Sequence, residues 1–245
     1  MNIWGEVVPV DILAVGVHPD DVELSCSGTI LKQIEMGYTV GVFDLTEGEL
    51  GTRGDRETRI NEANAAAEMM GVKFRVILDI GDGFFTRTEE TIKEIIPVIR
   101  ASRPNTVLCN ALSDRHPDHG RSAKLVADAA FMSGLVAIPT QWQGIEQERW
   151  RPATVLHYVQ DYFREPDIVV DITAYMDKKI EVIRQFKSQF YDPNSTEPSS
   201  PISGKEFLDF IRSKAMVFGR FLQVDYAEAF EATRPIGIKD IQLLS

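Results

Sequence analysis

The chain has 245 residues, 44% of them hydrophobic and 26% charged, enough apolar material for one core, so a single domain over 1–245 is expected. A formal net charge of -11 argues against nucleic acid or an anionic membrane surface as partner, yet leaves room for a small anion gripped by local arginines. Two isolated cysteines, Cys26 and Cys109, an N-terminus without a basic leader, and no long uncharged run together point to a cytoplasmic protein with buried free thiols.

Residues 11–17 (DILAVGV) form a continuous apolar run suited to a strand buried on both faces. Residues 22–36 then recur at helical spacing through Val22, Ile30, Leu31 and Ile34, and Gly37 stops them. Residues 39–45 read as the next strand, and 55–70, rich in Glu, Ala, Asn and Met and ended by Gly71, as a helix. A strand over 74–80, a helix over 89–102 closed by Pro104, a strand over 105–110 and a helix over 120–132 follow. This alternation predicts an α/β, Rossmann-like fold: a mostly parallel, twisted sheet with right-handed crossovers, flanked by helices on both faces. Beyond residue 134 the pattern loosens. Residues 135–152 are irregular and carry Trp142 and Trp150; strands are expected over 154–160 and 168–172, and amphipathic helices over 174–189 and 205–222. Between those helices lies 191–204, dense in Pro, Ser and Asn, and loops of that length are usually mobile or functional.

Only four histidines occur, and three stand in two short clusters, His18-Pro19-Asp20-Asp21 and His116-Pro117-Asp118-His119. Each cluster follows an expected parallel strand, and ligands of open α/β sheets bind in the crevice beyond the carboxyl ends of the strands. His18 leaves one strand end, Asp21 enters the first turn of the next helix, and His119 opens a helix from the second cluster. Two imidazoles and one carboxylate suit Zn²⁺ with a position left for water. Asp20 is then free to act as a general base, and a protonated His116 can stabilise an oxyanion or deliver a proton to a departing amine. Asp118 can hydrogen-bond His116 or a ligand histidine and set its tautomer. The plain alternative, a proline turn with an aspartate cap, explains one cluster but poorly explains two. His157 reads as a histidine packed in or beside the sheet.

The stretch Thr46-Glu47-Gly48-Glu49-Leu50-Gly51-Thr52-Arg53-Gly54 also follows a strand end, and its three glycines allow close backbone approach to a ligand. Arg53 can grip a carboxylate or phosphate there, the bland alternative being a surface pair with Asp55 or Glu57. The same metal ligands accept Fe²⁺, and a non-haem Fe(II) oxygenase is a second reading, although such triads suit β-rich folds better. A binding module is a third, but no G-x-G-x-x-G follows the first strand.

Taken together, the strand leading into His-Pro-Asp-Asp, then Glu-Gly-Glu-Leu-Gly-Thr-Arg-Gly, then His-Pro-Asp-His resembles the LmbE/PIG-L family of zinc deacetylases along the whole chain. Val17 stands where that family commonly has Ala. The resemblance implies zinc on His18, Asp21 and His119, Asp20 as general base, His116 as electrophile and Arg53 as a contact for the aglycone. It implies a small amino-sugar substrate and a homo-oligomer, trimer or hexamer. Within the family, Gly-Thr-Arg-Gly and residues 205–230 resemble the bacillithiol-pathway branch, which implies an N-acetylglucosaminyl malate substrate. A chitobiose-like sugar, an inositol glycoside or an antibiotic intermediate is the alternative.

Overall fold

The computed structural model describes residues 1–238 and 240–243. In chain order its strands are β1 (Asn2–Gly5), β2 (Ile12–Gly16), β3 (Val40–Asp44), β4 (Phe74–Ile77), β5 (Thr106–Cys109), β6 (Gln141–Trp142), β7 (Ile145–Glu146), β8 (Thr154–Tyr158), β9 (Ile168–Asp171) and β10 (Ala227–Ala232). The helices are α1 (Asp21–Glu35), α2 (Arg56–Met70), α3 (Glu89–Ser102), α4 (Pro117–Met132), α5 (Met176–Ile183) and α6 (Phe207–Leu222).

The main sheet has the order β1-β4-β3-β2-β5-β8-β10-β9. From β4 to β8 every neighbouring pair is parallel, while β1 and β10 pair antiparallel. The mostly parallel sheet with helices on both faces is therefore present. From β2 the chain runs outward through β3 and β4, then returns to place β5 on the other side of β2. That reversal is a topological switch point, where a crevice opens between two diverging loops.

The unbroken apolar strands are explained by burial on both faces. Leu13 and Val15 of β2 pack with α3 and α4 in one core, whereas Ala14 faces a second core built with α1, α2, α5 and α6. Helix ends follow local chemistry. Asp55 caps α2 through Thr58 N–H and Gly71 ends it in the left-handed region, and Thr88 and Thr91 form a reciprocal capping box on α3.

Several elements depart from the sequence expectation. The helix expected over 174–189 stops at Ile183, because Phe186 and Phe190 turn into the core and Glu62 takes the backbone N–H of Ser188. Strand β10 (AEAFEA) was not expected, since Ala and Glu favour helices; it inserts between β8 and β9, with Glu228 paired to Lys179 at 2.5 Å. Residues 141–146 form a small hairpin inside the irregular stretch. No helix among the described residues is long and apolar enough to cross a membrane.

Candidate active site and metal centre

The loops after β2 and β5 meet at the switch point. Asp21, at the start of α1, has its Oδ2 held by the N–H groups of Val17 at 3.0 Å and His18 at 2.9 Å and by Asn110 Nδ2 at 3.0 Å. Its Oδ1 accepts from Gln160 Nε2 at 3.1 Å and faces His119 Nε2 at 3.1 Å, while His18 Nδ1 lies 3.6 Å from Oδ2. The three residues expected as metal ligands thus converge on one carboxylate. Burial alone would raise the pKa of Asp21, but the facing His119 and His18 hold it well below the usual carboxylate range.

Each of these two histidines is braced on its other nitrogen. His18 Nε2 is 3.0 Å from Asp82 Oδ1 and 3.4 Å from Asp118 Oδ2, and His119 Nδ1 is 2.5 Å from Asp114 Oδ2. Such outer carboxylates fix the tautomer and orientation of ligating histidines. Burial opposes charge on His18, yet Asp118, Asp82 and Asp21 outweigh it and raise its pKa to about 10. His119 is likewise raised, to about 9, by Asp21 and Asp114 against its own burial. The fold therefore favours positive charge at this point, as a bound cation requires. Among the described residues, two groupings of ligand atoms lie within 4.8 Å of one another: His18 with His116 and His119, and His18 with Asp82 and Asp118. The second is a bracing set, because Asp118 is already occupied by Gly83 N–H and Arg121, and Asp82 by Leu50 N–H. His18, Asp21 and His119 offer two imidazoles and a carboxylate, and that donor set fits a divalent transition metal such as Zn²⁺.

Asp20 precedes α1 in the capping position but makes no side-chain cap bond, and its φ of 136° is strained for a residue with a Cβ. The capping explanation therefore fails for this residue, and its carboxylate is left for the cleft. Its nearest cation is Arg59, with Nη2 3.5 Å from Oδ2. Burial lifts the pKa of Asp20 to about 7 although Arg59 pulls it down, which places it near the operating range of a general base. Arg59 also donates to Gly48 O at 2.8 Å and Pro19 O at 2.9 Å, tying the glycine-containing loop to the first histidine cluster.

His116 caps α4, its Nδ1 accepting the N–H of Asp118 at 3.3 Å. That bond assigns the proton of the neutral ring to Nε2. Burial, with the charges of His18 and His119 nearby, presses its pKa below the ordinary value. Nε2–H is therefore the donor that the neutral ring offers. Asp118 sets that tautomer through its backbone, while its carboxylate serves His18. His157 is fully buried in β8, with Nδ1 2.9 Å from Asn110 O, and does not line the cleft.

Except for Asn110 and His157, the side chains named above border one cleft of about 440 Å³, together with Arg53, Lys214 and residues 200–202. Arg53 is buried and reaches Ser195 Oγ at 2.7 Å. Lys214 on α6 donates to Gln160 O at 2.8 Å, and burial brings its pKa down to about 8. Asp82, Asp114, Gln160, Arg59 and Lys214 were not singled out in the sequence. The one available signal was Gly81-Asp82-Gly83 just past the carboxyl end of β4, the same kind of signal that exposed Arg53.

Sheet and site together define an α/β enzyme with a candidate metal centre at its switch point. The family model described as PIG-L, GlcNAc-PI de-N-acetylase, matches residues 13–130. The diacetylchitobiose deacetylase of Thermococcus kodakarensis is 30% identical over 227 residues, covering 89% of this chain and 80% of the relative. The chain belongs to the PIG-L/LmbE family of deacetylases, metal-dependent hydrolases that cleave an amide C–N bond. The solved structure of the conserved protein TT1542 from Thermus thermophilus shares the fold, with a TM-score of 0.83 and 29% identity over 95% of this chain and 98% of that one. The 4-oxalmesaconate hydratase of Pseudomonas putida is 29% identical over 203 residues, 72% of this chain and 73% of the relative. Likeness of this degree thus extends to a hydratase as well as to a deacetylase.

Proposed function

We propose that the protein, acting as a single domain, removes the acetyl group from an N-acetylglucosamine derivative that carries an anionic aglycone. N-acetylglucosaminyl malate of bacillithiol biosynthesis is the favoured substrate. The observation that carries the reading is the union, in one cleft, of the His18, Asp21 and His119 set with an uncapped Asp20 and a buried Arg53. His18, Asp21 and His119 would hold the metal, Zn²⁺ first and Fe²⁺ in the same ligands. When bound, such an ion polarises a carbonyl and lowers the pKa of water. Asp20 takes the proton of the attacking water as its oxygen bonds to the acetamido carbon. His116 Nε2–H donates to the oxygen that gains charge. The C–N bond then breaks, the proton passes to the nitrogen, and acetate and a free amine leave. Asp118, Asp82 and Asp114 keep the histidines in register, and Arg53 receives the carboxylate of the aglycone.

The chain's free, buried thiols accord with a cytoplasmic setting, and the family resemblance with a trimer or hexamer. The test is amine release from N-acetylglucosaminyl malate, free N-acetylglucosamine and diacetylchitobiose. Preference for the malate glycoside, lost in Arg53→Ala, is expected. Equal rates on all three would sink the anionic aglycone, and preference for diacetylchitobiose would install that sugar instead.

A further inference from the structure

The carboxylate seat at Arg53 is already filled from within the chain. Glu197 lies on the loop between α5 and α6, and its Oε1 accepts the N–H of Gly54 at 3.0 Å. Its Oε2 lies 3.4 Å from Arg53 Nε, and the neighbouring Ser195 Oγ accepts from Arg53 Nη2 at 2.7 Å. A guanidinium and the next backbone amide thus grip one carboxylate, the arrangement a bound organic acid would meet. The seat itself is rigid. Arg53 is only 5% exposed, its carbonyl accepts from Gln189 Nε2 at 2.6 Å, and a Cβ on Gly54 would stand 2.6 Å from Ser188 Oγ.

The occupant is held more loosely. The side chain of Glu197 is 41% exposed, and its contact with the guanidinium is a single long one rather than a bidentate pair. No helix or strand is present between Ile183 and Phe207, so the loop can move without breaking regular structure. Farther along the same loop, Ser200, Pro201 and Ile202 form part of the cleft wall. Two contacts from Glu197 and one from Ser195 therefore fasten the wall of the cleft to the group that would read an anionic ligand.

We propose that Glu197 is an internal stand-in for the substrate's carboxylate: an anionic ligand displaces it from Arg53 and Gly54, and the displacement releases the loop over residues 191–204. Specificity is then a competition. A neutral N-acetyl sugar leaves the latch closed, whereas an acid exchanges one carboxylate for another. The proposal rests on the anionic-aglycone reading for its substrate, but the latch can be measured without turnover.

The probe is succinate, a dicarboxylate without malate's chelating hydroxyl, titrated into the metal-loaded protein with amide hydrogen exchange followed over residues 190–206. Glu197→Ala is expected to bind succinate roughly two- to fivefold more tightly than wild type, the span an exposed ion pair commands. In wild type, succinate should raise exchange in the loop towards the level Glu197→Ala shows without ligand, and Arg53→Gln should not bind. Unchanged affinity and exchange in Glu197→Ala, binding that survives in Arg53→Gln, or no binding to any form would overturn the latch. Succinate binding with loop release in a protein that deacetylates no anionic sugar would count against the substrate reading and leave the latch standing.

Discussion

Asp114 gives the sharpest test of how the candidate metal centre is held. Its Oδ2 is 2.5 Å from His119 Nδ1, and its Oδ1 accepts the N–H of Tyr162 at 2.8 Å, in a side chain only 1% exposed. The carboxylate therefore does two things: it points Nε2 of His119 at Asp21, and it makes that nitrogen a better donor. Asp114→Asn keeps the shape and an acceptor oxygen but removes the charge. Loss of such an outer partner costs about 10- to 100-fold in metal affinity, or roughly 1.4–2.7 kcal/mol. Asn belongs near the lower figure. Asp114→Ala belongs near the upper, because it also leaves the Tyr162 N–H and the His119 Nδ1–H without a partner. Competition titration of Zn²⁺ against a chromophoric chelator measures the loss, with circular dichroism to confirm that both variants are folded. If both bind Zn²⁺ within twofold of wild type, His119 is not a ligand braced by Asp114, and the assignment of the centre falls.

Three other expectations, at two residues, test the frame and the cleft. Arg75 is fully buried and makes a bidentate pair with Asp44, at 2.6 and 2.9 Å, and a third bond to Glu23 at 2.5 Å. Arg75→Met leaves both carboxylates buried without a cation, so urea unfolding should show a loss of roughly 3–5 kcal/mol; a loss under about 1 would refute the pairing as a structural tie. Lys214 has its pKa pushed down by burial to about 8 from an ordinary 10.5, so its charge is present at neutral pH and lost as pH passes 8. KM for an anionic substrate should therefore rise above pH 8 in wild type and stay flat in Lys214→Met. By linkage, the folded state sheds that proton first, so wild-type stability should rise between pH 8 and 10.5 relative to Lys214→Met, as thermal melts of the two will show. A parallel course for the two proteins would contradict this.

The strands that carry the site were legible because β2, β3, β4 and β5 are short runs dominated by Val, Ile, Leu and Phe, as burial on both faces demands, with Asp44 and Arg75 the paired exceptions. Strand β10 was not, because Ala and Glu gain their place there from tertiary pairing and from Lys179 rather than from local propensity. The same division runs through the site. His18, Asp20, Asp21, His116, Asp118 and His119 announce themselves by adjacency within two clusters. Asp82, Asp114, Asn110, Gln160 and Arg59 are single polar residues on four different segments, and only the order of the sheet brings them to the histidines. Nothing periodic marks a lone carboxylate that follows a strand. The role proposed for Asp20 rests on chemistry legible in the sequence, whereas its strained φ and its unused cap position appear only in the folded backbone.

The most direct measurement takes metal-loaded wild type and Asp20→Ala at equal metal content, with N-acetylglucosaminyl malate as substrate, and quantifies acetate and free amine in the same reaction. Wild type should release the two in equal amounts, and Asp20→Ala should be slower by about 10²- to 10⁴-fold, the contribution of a positioned general base. Amine release at the wild-type rate by Asp20→Ala, or acetate without amine from wild type, would contradict the account.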